Sequence, residues 1–354
     1  MMMQRVTIHD VAARAGVSLA TVDRVLNGRP GVRAATVERV ETAVRELGYT
    51  PDVHAANLAK RRRYRLHFLI PQSTNAFMED LKREAEQVAL RVAGERVVMT
   101  ITPIDAFDSH SVAGTLAVLD KSICDGVAVV APSSPEVRAA IDRLAMRDVP
   151  VVTLISDHPA SARAHFAGID NVAAGRSAGQ LLARFIAGNR PGSTAKVGFI
   201  AGSLGLRDHA ERHGSCLEVL EELQPGLQAL KVREGRDDNE RTRDITLRLL
   251  DEHPDLEGLY NAGGGNRGVI SALEERGVAR QVTFIAHELT PYTRRALLDG
   301  TIDALIAQNP GHEIRSAVRV LKALIDGTPV IAEQERIGID IFLPGNLPPE
   351  DAKT

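Results

Sequence analysis

Three groups of residues in this 354-residue chain have types and spacing that could do chemistry. The run Lys60-Arg61-Arg62-Arg63-Tyr64-Arg65 is basic enough to contact phosphates or to sit as a solvated linker. His209, His213 and Cys216 lie at i, i+4 and i+7, one face of a helix, and could supply part of a zinc site. No fourth ligand is evident, and the two cysteines, Cys124 and Cys216, form no CxxC pair, so no metal is expected. Gly263-Gly264-Gly265-Asn266-Arg267-Gly268 fits GxGxxG and precedes Glu288 by 20 residues, which imitates a dinucleotide fingerprint. It falls far from the first strand of the chain, and glycines are common at strand ends, so packing is the favoured reading. No GxSxG nucleophile elbow occurs. The expectation is therefore no enzyme, no catalytic residue and no cofactor.

The elements that must position these residues fall into two parts. Residues 1–65 carry a net charge of +6 and the remainder −9, against −3 for the whole. A basic head on an acidic body points the head toward nucleic acid. The chain is 44% hydrophobic, which suits a folded protein, and its length suits more than one core. Two distant cysteines fit a reducing compartment. No run approaches 18 apolar residues and Met1-Met2-Met3-Gln4-Arg5 starts no apolar signal segment, so the expectation is a cytoplasmic protein without a membrane partner.

In the head, Thr7 stands at a helix N-cap with Asp10 three residues on, and Val11, Ala12 and Ala15 form an apolar stripe. Gly16 supplies a left-handed turn. Ser18 caps a second helix in which Val22, Val25 and Leu26 face inward while Leu19, Ala20, Asp23, Arg24 and Asn27 face outward. After the Gly28–Gly31 break, Val37, Val40, Val44 and Leu47 mark a third helix that Gly48 ends. Residues 51–59 form a short Ala-rich stretch, too weakly amphipathic for a stable lone helix.

From Leu66 onward apolar runs alternate with amphipathic stretches. The strands read as 66–70, 97–101, 127–131, 151–155, 197–201, 256–261, 282–286 and 304–307. The intervening helices read as 78–92, 137–145, 174–186, 239–250, 267–276 and 314–325. Alternation over this length implies parallel sheets covered on both faces, and about 290 residues suits two α/β lobes.

The head closely resembles the lactose-repressor (LacI) family of bacterial transcription regulators, through Thr7-Ile8-His9-Asp10-Val11-Ala12-Ala13-Arg14-Ala15-Gly16-Val17-Ser18, Thr21-Val22, Arg24-Val25-Leu26-Asn27-Gly28 and Leu47-Gly48-Tyr49-Thr50-Pro51. The resemblance implies a helix-turn-helix whose second helix enters the major groove. Leu19, Ala20 and Arg24 would read bases, with Thr7, Ser18, Thr21 and Asn27 on phosphate or helix support. Asp23 stands where the family commonly has Ser; a carboxylate could accept from cytosine N4 and repels phosphate. In the family a hinge helix orders on DNA and wedges a Leu into the minor groove, which implies roles for Asn57 and Leu58.

The body resembles the family's effector domain, built like ribose-type periplasmic binding proteins. That implies a fold of an all-α helix-turn-helix head, residues 1–50, a hinge and basic linker, 51–64, and a two-lobed α/β effector and dimerisation domain, 65–354. Lobe 1 would hold about 65–168 and 290–326, and lobe 2 about 169–289 with the C-terminal segment. Position by position the resemblance implies effector contacts from Asn75, Phe77, Asp157, Asn261, Asn266, Glu288 and Gln308, with Arg207 or Arg212 as the gripping arginine. Planar polar groups suit hydroxyl pairs, so a sugar or polyol is the expected effector. The function implied is an operator-binding regulator, a repressor, controlled by that effector. Paired heads on a two-fold operator imply a homodimer, and the tail 343–350 lacks the heptads of a coiled coil. The rival readings are a solute-binding protein for a sugar transporter, disfavoured by the missing export signal, and a nicotinamide-dependent enzyme.

Overall fold

The computed structural model describes residues 6–26, 30–49, 62–72, 75–189 and 195–349. The chain divides into two compact units, residues 1–62 and 63–354.

The first unit holds α1 (Ile8–Ala15), α2 (Leu19–Leu26) and α3 (Ala34–Leu47). Thr7 closes a capping box: its amide donates to the Asp10 carboxylate at 2.8 Å, and its hydroxyl accepts from the Asp10 amide. The Thr7 hydroxyl also lies 2.7 Å from the Asp10 carboxylate and donates to it, and this bond, with that from the Thr7 amide, holds the Asp10 carboxyl below its ordinary value. Gly16 takes φ 62°, and Val17 then donates back to Ala12, which reverses the chain within two residues. Ser18 Oγ accepts from the Thr21 amide at 3.3 Å and so caps α2. Val11, Ala12, Ala15, Val22, Val40 and Ala43 close the core. The Arg39 guanidinium, on α3, donates to the Ala15 carbonyl at 2.7 Å and the Gly16 carbonyl at 3.1 Å. It thus satisfies carbonyls that the end of α1 leaves open and fixes the turn.

The second unit contains two sheets. Lobe 1 is built from β1 (Tyr64–Pro71), α4 (Ala76–Val92), β2 (Val97–Ile104), α5 (Ser109–Ala117), β3 (Gly126–Val129), α6 (Pro135–Met146), β4 (Val151–Leu154) and β5 (His165–Ala167), with parallel strands in the order β2-β1-β3-β4-β5. Lobe 2 takes α7 (Asn171–Asn189), β6 (Lys196–Ala201), α8 (Arg207–Leu223), β7 (Gln228–Ala229), β8 (Arg233–Glu234), α9 (Asn239–Glu252), β9 (Leu256–Asn261), α10 (Asn266–Glu275), β10 (Thr283–His287), α11 (Pro291–Asp299) and β11 (Ala304–Ala307). The chain then returns to lobe 1 as α12 (Pro310–Asp326), where Ile314, Ala317 and Leu321 pack with Phe68 and Val152. It crosses back to close lobe 2 with β12 (Asp340–Phe342), antiparallel to β11. The strands β3, β4, β10 and β11 are buried along their whole length, as expected where helices cover both faces.

One boundary differs from expectation. Residues 291–307 belong to lobe 2, because β11 pairs in parallel with β10 and completes that sheet; only α12 returns to lobe 1. The periodicity also passed over α5, α11 and the short strands β5, β7, β8 and β12. Strands of two or three residues are too short to show alternation, and α5 buries only Val112, Ala113 and Leu116 within a Ser- and Gly-containing segment.

Candidate functional site

On the head, α2 presents Leu19, 39% exposed, with Ala20 and Arg24 beside it, while Val22 is buried. Thr21 and Asp23 are half-buried, and the Ser18 and Thr21 hydroxyls lie 2.9 Å apart at the start of the helix. Thr7 is committed to capping α1. Asn27, Asn57 and Leu58, residues 51–59 and the first two residues of the basic run, 60 and 61, lie outside the described residues.

In the body, the C-terminal ends of both sheets face each other across a cleft of about 830 Å3. Lobe 1 contributes Met78, Ile104, Phe107, Val130 and Ile155, and lobe 2 contributes Asp208, His209, Arg236 and Asp237. The lobes touch around it. Asn75 Nδ2 donates to Asp237 Oδ2 at 3.2 Å, the Ser133 amide donates to the Gly205 carbonyl at 3.2 Å, and the Arg236 guanidinium lies 5.1 Å from the Phe107 ring centre. Four non-glycine residues at strand ends around this cleft have left-handed backbones: Ile155 (φ 62°), Arg236 (53°), Asp237 (57°) and Glu288 (72°). Each costs about 1–3 kcal/mol, and strain of this kind collects where a side chain must be aimed.

Behind the cleft sits a buried polar cluster. Arg212, 2% exposed, donates from Nε to Asn171 Oδ1 at 2.8 Å and from Nη1 to the Ala262 carbonyl at 3.1 Å. Its Nη2 has no partner among the described residues, and neither do Asp208 Oδ1, Gln308 Oε1 or either carboxyl oxygen of Glu313. Gln308 Nε2 donates to Glu288 Oε1 at 2.8 Å. Burial raises the Glu288 carboxyl to about 7, although Arg212 and Gln308 pull it down. Burial, with Glu288 and Asp208 nearby, raises Glu313 further above its ordinary value. Buried polar groups are almost always hydrogen-bonded, so the unsatisfied atoms of Arg212, Asp208, Gln308 and Glu313 suit a polar molecule that both donates and accepts hydrogen bonds.

Of the residues the resemblance implied, Arg212, Glu288 and Gln308 join this cluster, and Asn75 bridges the lobes beside it. Asn261 and Asn266 fasten the loop above: Asn261 Nδ2 donates to Asn266 Oδ1 and the Gly264 carbonyl, both at 2.8 Å, and Asn266 Nδ2 donates to the His287 carbonyl. Phe77 packs in the lobe 1 core and does not line the large cleft. Two residues are corrected. Asp157 turns away from the cleft, held by the Arg163 guanidinium, the Thr153 hydroxyl and the His158 amide, which leaves Ile155 and Ser156 lining the cleft in its place. Arg207 is half-exposed at the start of α8 and pairs with Glu211 at 2.7 Å, so Arg212 is the buried arginine of the two.

Asn171, Asp208, Asp237 and Glu313 were not expected at the site, and His209, read from the sequence only as a candidate metal ligand, lines the cleft instead. Asp208 and His209 lie inside the segment where an arginine was sought, Asp237 follows a two-residue strand, and Glu313 looks like an ordinary first-turn acid on α12. His209, His213 and Cys216 do share α8, but His209 Nδ1 accepts from the Ser203 amide, His213 meets the Phe199 ring edge-on and Cys216 is wholly buried in the core. In the GxGxxG segment the Gly264 amide is taken by Asp237 Oδ1 at 2.8 Å, and a Cβ on Gly268 would lie 2.0 Å from the Asn239 carbonyl oxygen. These glycines serve close packing, not an open phosphate cradle.

Residues 66–329 match the periplasmic binding protein domain family, and residues 7–52 match the lacI family of bacterial regulatory proteins. The chain belongs, through its body, to the periplasmic binding protein domain family, and its head is a lacI-family domain. Its relatives include the HTH-type transcriptional regulator DegA of Bacillus subtilis, 28% identical over 44% of this chain and 45% of that protein. The HTH-type transcriptional regulator RegA of Clostridium saccharobutylicum is 33% identical over 43% of this chain and 45% of that protein, and catabolite control protein A of Priestia megaterium is 42% identical over 24% and 25%. The chain therefore spans less than half the length of these curated relatives. Among solved structures, the glucose-galactose binding protein GanP of Geobacillus stearothermophilus superposes with a TM-score of 0.71 at 23% identity, over 81% of this chain and 99% of that one. A carbohydrate transporter solute binding protein from Agrobacterium radiobacter, in complex with D-arabinose, gives 0.73 at 18% identity, over 82% and 97%. The body of this chain thus has the two-lobed binding-protein fold. Among the described residues no helix is long and apolar enough to cross a membrane.

Proposed function

We infer that this chain is a cytoplasmic DNA-binding transcriptional regulator, a repressor, whose operator affinity is set by a sugar or polyol bound between its lobes. One observation carries the reading: a lacI-type helix-turn-helix head shares its chain with a body whose interlobe polar cluster lacks partners. The exposed face of α2, with Leu19, Ala20 and Arg24, suits major-groove insertion, and the dimer that a two-fold operator needs is part of the proposal. Ligand that binds the closed lobes better than the open ones shifts a two-state body, and operator affinity follows by linkage. Arg212 and the acceptors of Asp208, Gln308 and Glu313 would take hydroxyl groups, consistent with the sugars and sugar-binding activities named for the structural neighbours. No residue is given a catalytic role and no cofactor is required.

The test is a gel shift of the full chain against DNA upstream of its own gene and its neighbours, with and without monosaccharides and polyols. Retarded DNA that a sugar releases or tightens is the expected result. No retardation at low salt with any fragment overturns the regulator reading and leaves a solute-binding role.

A further inference from the structure

The buried groups where the lobes meet do not balance in charge. Asp208 on α8, Glu288 after β10 and Glu313 on the first turn of α12 are all buried, and their charges act on one another. Asp237, buried as well, is met by the Asn75 amide group and the Gly264 amide, both neutral. Against these acids stands Arg212, the one buried arginine or lysine among the described residues. The nearby histidines add no fixed charge: burial, with Arg212, lowers His287 well below its ordinary value, and the Nδ1 of His209 that accepts from the Ser203 amide carries no proton. Arg236 and Arg241 on the cleft rim are exposed, where water screens them. Buried carboxylates without a counterion are costly and either take up protons or meet a cation. Glu288 and Glu313 hold their protons more tightly than ordinary carboxyls, which marks the deficit of positive charge.

The hydrogen bonding leans the same way. Asp208 Oδ1, Gln308 Oε1 and both carboxyl oxygens of Glu313 have no partner among the described residues, whereas Arg212 Nη2 is the cluster's unsatisfied donor nitrogen. Gln308, 6% exposed, points to a ligand independently of the acids: its Nε2 is fixed on Glu288 Oε1 at 2.8 Å, which leaves Oε1 as a buried acceptor without a donor. Glu288 and Gln308 also line a hollow of about 470 Å3 between α4 and the end of β11, so the cluster can be reached. The arginines of that hollow are engaged, Arg83 by Asp80, Arg315 by Glu84 and Arg91 by Gln87.

We propose that the effector carries an amine: an amino sugar or amino polyol whose ammonium group sits between Glu313 of lobe 1 and Asp208 and Glu288 of lobe 2, donating also to Gln308 Oε1. This rests on the reading of the body as a sugar or polyol receptor and names the class within it. A hydroxyl satisfies lone pairs and leaves the charge; an ammonium brings three donors and the missing positive charge together. Its acceptors come from both lobes, so the cation favours the closed arrangement, which is the bias a two-state body needs.

The test measures calorimetric affinities of the full chain at neutral pH for D-glucosamine, D-galactosamine and D-glucamine. Each is set beside its neutral parent, D-glucose, D-galactose or D-sorbitol, and beside its N-acetyl derivative, which keeps the nitrogen and loses the charge. At least one amine should bind about tenfold or more tighter than both of its uncharged counterparts. Glu313→Gln, which keeps the shape and removes the charge, should bring that ratio to near one, and Glu288→Gln should lower it, each in protein whose melting transition shows a folded body. If every amine is matched by an uncharged counterpart in the unaltered chain, the proposal is overturned and the sugar reading stands. Failure of every sugar, polyol and amine at millimolar concentration overturns both. A ratio that neither substitution changes in folded protein overturns the site between Glu313 and Glu288.

Discussion

Arg212 and Glu288 show how single side chains carry the argument. Arg212 is buried with two of its nitrogens committed to Asn171 and Ala262, and the third has no partner among the described residues. Arg212→Ala should lower stability by about 3–5 kcal/mol, because it uncovers the buried carboxyls it now offsets, and denaturant unfolding measures it. Gln308→Ala is the milder probe: it should weaken whichever sugar binds by about tenfold and leave DNA affinity of the unliganded protein unchanged, by calorimetry and gel shift. Glu288 has a sign that can be worked out. Its carboxyl is raised from 4.5 to about 7 by burial, so the folded state holds the proton more tightly than the unfolded chain. That contribution is fully present below pH 4.5 and is lost as pH rises to about 7, about 3 kcal/mol in all. Glu288→Gln should remove this loss, so the stability difference between the unaltered chain and the variant should change across that window and be flat above it. A difference that is flat from pH 4.5 to 7.5 would show Glu288 to be ionised throughout.

At the scale of elements, helix α2 and the glycine-bearing loops behave differently. Arg24 is exposed on a helix whose other face is pinned by Val22, so Arg24→Ala should weaken DNA binding by about 1–3 kcal/mol and leave sugar affinity untouched. Loss of both properties together would refute the division between head and body. Gly268 lets α10 approach α9 so closely that a Cβ would strike the Asn239 carbonyl at 2.0 Å and the Arg243 amide nitrogen at 2.7 Å. Gly268→Ala should destabilise by about 1–3 kcal/mol. Gly214, mid-way along α8 with open space where a Cβ would stand, should gain about 0.5–1 kcal/mol as Ala. Thermal or denaturant unfolding separates the pair by sign.

At the scale of the whole molecule, two units with separate cores need not unfold together. Calorimetry should show the transition of the body rising with a bound sugar and that of the head rising with DNA. Sedimentation should give a dimer, as paired heads on a two-fold operator require.

Much of this was legible without coordinates, for a definite reason. Capping boxes, Gly16 and Gly48 turns and apolar stripes are local: Thr7 with Asp10, or Val11 with Ala15, interact within one turn of chain, so their spacing in the sequence is their spacing in space. The alternation of buried strands with amphipathic helices is likewise a local pattern, and it specified a parallel α/β body. What the tertiary structure alone decided is non-local. It sent 291–307 to lobe 2 by pairing β11 with β10, turned Asp157 onto Arg163 and away from the cleft, chose Arg212 over Arg207 for burial, and brought Asp208 and Glu313, more than a hundred residues apart, to one buried cluster. Burial and charge depend on which distant segments meet, and no spacing along a chain encodes that distance.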